Sequence, residues 1–180
     1  MTLEAATAEI VGLDEDGERP ESLVAAWQLG DFSVGSGLNR TYRLFEDGLF
    51  VFQDNPIHSW CKEGVATRVG TWEVDGDDIL LREQRRIEVI GGEKVEDEYG
   101  ECTREDAKIV VSVFDEPREK TLVMTDCPEE ELEERADEIQ ALGANIECRQ
   151  FSGDSYWTAG AETENWRDDW QEWVEFALKK

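Results

Sequence analysis

Positive charge is scarce in this chain. Its 180 residues carry 18 Lys and Arg against 44 Asp and Glu, a formal net charge of −26. Such a field repels phosphate backbones and anionic lipid surfaces, which argues against direct nucleic-acid or membrane-surface binding and favours basic protein surfaces. Acidity of this kind also suits a chain adapted to salt. Long apolar runs are missing too: nothing approaches the roughly 20 residues of a membrane span. The opening MTLEAATAEIVGLDEDGE has no basic start or apolar core, so it reads as neither signal peptide nor anchor, and a cytoplasmic location is expected. The four cysteines, Cys61, Cys102, Cys127 and Cys148, form no C-x-x-C pair and are expected as free thiols in a reducing compartment. There is one histidine, and there is no P-loop, dinucleotide fingerprint, G-x-S-x-G or H-E-x-x-H motif. No catalytic residue, metal or cofactor is implied.

What the chain does have is turns between apolar runs. Residues 1–21 are acidic and weakly patterned and read as a mobile arm. From residue 22, Leu23, Ala25, Trp27 and Leu29 alternate at strand spacing. TYRLFEDGLFVF places Asp47-Gly48 between two aromatic runs, a hairpin signal of type I′. VDGDDILL repeats the device at Asp75-Gly76, with Gly76-Asp77 an equally legal turn, and Gly91-Gly92 reads as a third hairpin. A fourth joins 107–114 to 121–125 through the turn 115–119, where Pro117 is cheap. The strands predicted are about 23–33, 39–46, 49–54, 66–75, 78–90, 93–103, 107–114 and 121–125. Short hairpins make sequential strands neighbours, so the fold class is mainly β: an up-and-down antiparallel β-barrel of about eight strands over residues 22–126. Residues 127–180 then supply two helices packed on the barrel, with a further strand between them. The first helix starts at Pro128 and ends before Gly143; ANIECRQF is the strand; the second helix, 164–178, bears Trp166, Trp170 and Trp173 on one face.

AAWQLGDF, TYRLFEDGLFVF and VGTWEVDGDDILL together resemble bacterial lipocalin-like (calycin-type) domains, in which a Trp-bearing first strand precedes an aromatic D-G hairpin, a G-x-W and a G-D-x-L hairpin. The resemblance spans about residues 23–90. It implies an eight-stranded barrel that holds a small apolar molecule and has no catalytic activity. The C-terminal third goes beyond that pattern, which has a single appended helix.

Three groups of residues are candidates for function. In strand 78–90, Glu83 and Arg85 share a face with Ile79, Leu81, Ile87 and Val89, so an unbroken strand points both into the barrel, where Arg85 suits a carboxylate. A bulge near Gln84 turns the pair outward instead, and the cost of burying charge favours it. The loop DNPIHSWCKEG, 54–64, holds His58 and Trp60; H-x-x-C lacks two ligands for a zinc site, so the loop reads as a cap on one barrel end and the first choice to line a mouth. Acidic residues around Glu96, Asp97 and Glu98 and around Glu130 and Glu134, with the Trp166–Trp170–Trp173 stripe, form candidate contacts for a partner. Two readings follow: a non-catalytic acidic protein that binds or neutralises a basic protein partner (inhibitor, immunity or adaptor type), or a lipocalin-like carrier of a small apolar or carboxylate-bearing ligand.

Overall fold

A computed structural model describes residues 10–14, 19–29, 40–54, 65–96, 102–106, 108–142 and 146–158. Within them the chain is mainly β. β1 (Ala26–Leu29), β2 (Arg40–Leu44), β3 (Leu49–Asp54), β4 (Val65–Asp75) and β5 (Asp78–Ile90) form a sequential antiparallel meander. β8 (Lys108–Leu122) lies beside β5. β9 (Met124–Asp126), β10 (Glu147–Phe151) and β11 (Asp154–Thr158) return the chain to β1. The nine-stranded order is β8-β5-β4-β3-β2-β1-β11-β10-β9. Its two edge strands, β8 and β9, are separated in the chain by Val123 alone. One bent run therefore pairs with β5 before Val123 and with β10 after it, and the sheet curls until its edges meet at that corner. Ser152 clamps the bend: its N–H donates to the Val123 carbonyl at 2.7 Å.

The faces of this curled sheet can be told apart by what meets on them. Trp27, Tyr42, Leu44, Phe50, Phe52, Trp72, Ile79, Leu81, Leu122, Phe151 and Tyr156 form one cluster. Residues from both ends of the strand order can touch only on the inside of the curl, so this is the interior face. Trp27 and Trp72 are almost wholly buried, and their indole N–H groups donate to the carbonyls of Leu23 (3.1 Å) and Phe45 (2.8 Å). That is how a buried Trp keeps its polar tip satisfied. A second cluster, Ile10, Phe45, Leu49, Val51, Val69, Ile87 and Val111, covers the outer face.

Part of the segment expected as a mobile arm contributes to that outer cluster. Ile10 is buried there, the Asp14 N–H donates to Asp47 O at 3.0 Å, and Arg19 Nη1 donates to the carbonyls of Asp14 (2.8 Å) and Glu46 (3.1 Å). The Arg19 guanidinium also lies 5.7 Å from the Trp72 ring centroid.

Several turns differ from expectation. Gly48 has φ +84° but Asp47 does not share a positive φ, and Gly48 N–H donates to Phe45 O at 3.1 Å. This is a type I turn closed by a left-handed glycine, not type I′. At the next hairpin Asp75 pairs with Asp78, so Gly76-Asp77 is the turn; Gly76 alone has positive φ, the II′ pattern. Gly91 and Gly92 are both left-handed, but they do not join a hairpin of the main sheet. The strand after them, β6 (Glu93–Glu96), pairs with β7 (Cys102–Glu105) in a separate two-stranded ribbon. The turn expected at 115–119 is absent. β8 runs through it, and residues 114–117 oppose Gln84 alone as a wide bulge, where Pro117 needs no ladder partner.

The first helix is two short ones, α1 (Glu129–Glu134) and α2 (Ala136–Leu142), broken at Arg135. The break leaves Arg135 over the Trp157 ring at 5.1 Å, and Ser155 Oγ donates to Glu131 Oε2 at 2.6 Å. Ser155 and Trp157 alternate with the interior Tyr156, so the helix pair sits on the outer face of β11. The strand expected in ANIECRQF is β10; β11 was not anticipated. Cys127 and Cys148 are joined in a disulfide, with Cα atoms 5.9 Å apart, which corrects the expectation of free thiols. The topology explains it: β9 and β10 are adjacent, and the two cysteines sit at the neighbouring ends of the pair. The expected helix 164–178 lies outside the described residues.

Candidate ligand-binding face

The β5 bulge decides where the expected charged pair goes. Opposite β4, Glu83 faces Gly70 and Arg85 faces Val69, leaving Gln84 as the extra residue. Gly70 alternates with the interior Trp72, whereas Val69 belongs to the outer cluster. Glu83 thus points inside and Arg85 outside, both buried. The bulge expected near Gln84 is there, but it turns only Arg85 outward; Glu83 stays inside. Burial holds the Arg85 pKa below its ordinary value. Gln84 has its own task. Its side-chain amide accepts from Val11 N–H at 3.0 Å and donates to Val11 O at 2.6 Å, completing a strand-like pair with the N-terminal segment.

Inside, Glu83 is held by Arg86, whose Nε and Nη2 donate to its two oxygens at 2.6 and 2.8 Å. This fork keeps a buried carboxylate compensated. Register places Arg86 opposite Arg68, and Arg68 opposite Phe52. The Arg68 guanidinium lies 5.5 Å from the Phe52 centroid, and its Nε is shut off from solvent with no hydrogen-bond partner among the described residues. Phe52 faces Tyr42, with ring centroids 4.5 Å apart, and Tyr42 meets Tyr156 at 5.3 Å. From the far side, Lys120 of β8 reaches the Tyr42 hydroxyl at 3.3 Å. These strands are four places apart in the sheet, so the contact crosses the interior. Arg40 pairs with Asp54 at 3.2 Å at the ends of β2 and β3, both reached by solvent. Arg118 faces Glu83 across the ladder and stacks on Phe114 at 4.0 Å.

The interior therefore has two layers. One is packed and apolar: Trp27, Leu44, Phe50, Trp72, Ile79, Leu81 and Leu122. The adjoining one is aromatic and charged. Electrostatics follow from this mixture. Burial pushes the Tyr42 hydroxyl up to about 12 against the opposing pull of Arg68 and Arg40, and burial likewise raises Tyr156. The Lys120 ammonium is lowered, first by burial and then by Arg68 and Arg40. Both tyrosines therefore stand as neutral hydroxyls at neutral pH, available as donors.

Of the other residues singled out in the sequence, His58, Trp60, Asp97, Glu98, Trp166, Trp170 and Trp173 lie outside the described residues. Glu96 is on β6, while Glu130 and Glu134 are exposed on α1. Among the described residues no cluster of His, Cys, Asp and Glu could hold a metal, and no helix is long and apolar enough to cross a membrane. Apart from Glu83, the residues that line the charged layer were missed because they come from six strands, β2, β3, β4, β5, β8 and β11. Only the alternation of Arg40 with Tyr42 and of Arg68 with Gly70 and Trp72 hinted that they share a face.

The fold is thus a mainly β, curled antiparallel half-barrel, in agreement with the architecture that the lipocalin-like resemblance implies. No protein-family model and no curated protein matches the sequence. Among solved structures the chain is similar to a streptavidin-like protein from Bacteroides eggerthii DSM 20697, with 13% identity and a TM-score of 0.38 over 86% of this chain and 95% of that one.

Proposed function

We propose that this protein binds a small molecule against the charged layer of its interior face. The observation that carries the reading is the change of character inside the curl. A barrel interior that served packing alone would stay apolar, because burying charge and hydroxyl groups costs free energy unless they are matched. Here tyrosine hydroxyls and long cationic side chains gather where β8 has no second neighbouring strand among the described residues. Aromatic walls with a few convergent polar groups are the usual composition of a small-ligand site. The alternative, a basic protein partner on an acidic surface, gains no support from the placement of Glu96, Glu130 and Glu134 on separate elements.

Native mass spectrometry of freshly purified protein, with small-molecule extraction, tests the proposal. A stoichiometric adduct lost in the Tyr42→Ala or Phe52→Ala variant is expected. A protein that is empty, and that neither shifts its melting temperature nor changes its tryptophan fluorescence with any member of a chemically mixed fragment set, would rule it out.

A further inference from the structure

The charge balance in the polar layer differs from that of the chain. Arg40, Arg68, Arg86, Arg118 and Lys120 face it, and Arg149 pairs with Asp126 beside Tyr156. Asp54 pairs with Arg40, Glu83 pairs with Arg86, Glu88 acts on Arg86 from the same strand face, and the charge of Asp154 acts on Lys120 and on both tyrosines. Cations are therefore not outnumbered here, in a molecule with a formal net charge of −26. Burial first, and then the neighbouring Arg68 and Arg40, lower the Lys120 pKa.

The internal pairs account for part of the set. Arg86 is committed to Glu83 through both of its bonds, and Arg40 to Asp54. Arg68 pairs with no carboxylate among the described residues: it stacks on Phe52, next to Tyr42. Among the described residues Lys120 donates to the Tyr42 hydroxyl, at 3.3 Å, while Glu83 and Asp154 act on it without a direct bond. A planar guanidinium, an ammonium and two neutral phenol hydroxyls converging beside the rings of Phe52, Phe151 and Tyr156 match one ligand chemistry: a compact oxyanion attached to an apolar or aromatic body.

We infer that Arg68 and Lys120, with the hydroxyls of Tyr42 and Tyr156, form the binding site for the oxyanionic head of a small amphiphilic ligand whose apolar body packs on Phe52 and Phe151. This rests on the binding reading above and narrows it to anions. The head would supply counter-charge to Arg68 and Lys120, whose only described close contacts are the Phe52 ring and the Tyr42 hydroxyl.

The test is isothermal titration of the whole protein with four probes of one ring size: benzoate, phenyl phosphate, benzylamine and benzyl alcohol. Benzoate or phenyl phosphate is expected to bind and the other two are not; the stronger of the anions tells a carboxylate head from a phosphate head. Arg68→Gln and Lys120→Gln are each expected to weaken the anion roughly ten- to hundredfold, the scale of a hydrogen bond to a charged group. Arg68→Lys, which keeps the charge and loses the fork, should recover part of the loss. Arg82→Gln, on the outer face where Arg82 pairs with Glu73 and Glu119, should change nothing. If benzyl alcohol or benzylamine binds and the anions do not, the anion inference is overturned while the small-molecule reading stands. Anion binding that survives both Arg68→Gln and Lys120→Gln overturns the assignment of the site. Should all four probes fail and native mass spectrometry show an empty protein, both readings fall.

Discussion

Gly70→Ala is the substitution with the clearest physical consequence. Gly70 sits opposite the β5 bulge, where the extra residue pushes the backbone of Arg82–Gln84 toward β4. A Cβ built on Gly70 would lie 1.9 Å from the Arg82 carbonyl oxygen and 3.0 Å from Gln84 N. Real Cβ atoms essentially never come within 3.0 Å of a neighbour, so the two strands must part by about 1.1 Å at this point. Both obstacles are backbone, and no rotamer change relieves them. Overpacking of this kind costs about 1–3 kcal/mol, and the absence of a flexible neighbour puts Gly70→Ala at the upper end, about 2–3 kcal/mol. For a chain of this size each kcal/mol lowers Tm by about 2–4 °C, so a drop of about 4–12 °C is expected in a thermal melt. Gly76→Ala is the matched control. Its added Cβ meets nothing within 4 Å, and its only penalty is the φ of +65°, about 1 kcal/mol. Urea titration of both variants checks the difference. Gly70→Ala within about 0.5 kcal/mol of the parent, or less destabilised than Gly76→Ala, would refute the account of the bulge.

Three other outcomes are expected. Replacing Gln84 with Leu removes both bonds to Val11, so amide exchange at Val11 should rise sharply while the midpoint of global unfolding moves by only about 1 kcal/mol. Reduction of Cys127–Cys148, or its replacement by a pair of alanines, opens a closure of 21 residues and should cost about 3 kcal/mol in urea titration, with no further effect of reductant on the double variant. Tyr42 is neutral in the folded protein up to about 12 and ionises near 10 when unfolded; its contribution is complete below pH 10 and declines as pH rises to about 12, a loss of about 2–3 kcal/mol that Tyr42→Phe should abolish when stability is followed across that window.

The sequence reveals what is local and hides what depends on distant pairing. β3 is recovered at its limits, 49–54, and β5 at 78–90, because glycine turns bracket runs of apolar alternation. β11 pairs with the distant β1 on one side but forms a local hairpin with β10 on the other, and the left-handed pair Ser152-Gly153, an S-G step between two aromatic runs, was the signal overlooked. The turn assigned to 115–119 failed for a different reason. Charge, proline and the lack of apolar residues mark a turn and a wide bulge equally well. The split of Glu83 from Arg85 shows the limit most clearly. Counting by twos along a strand gives the same face to both, and one inserted residue sends them to opposite sides. Arg68, Lys120 and Tyr42 meet only because β8 and β2 face each other across the curl, a proximity no periodicity encodes.

Among the described residues no strand pairs with the second side of β8, which bears on how copies of this molecule meet. An unpaired strand is a template on which a second chain can lay its backbone. Here the stretch Asp115-Glu116-Pro117-Arg118-Glu119-Lys120 is exposed throughout, carries charge of both signs, and includes a residue with no N–H to offer. Docking another strand there would strip water from charges and meet an interrupted row of donors. These six residues therefore make this side of β8 unattractive to extend, so an edge strand need not become a seed for fibres.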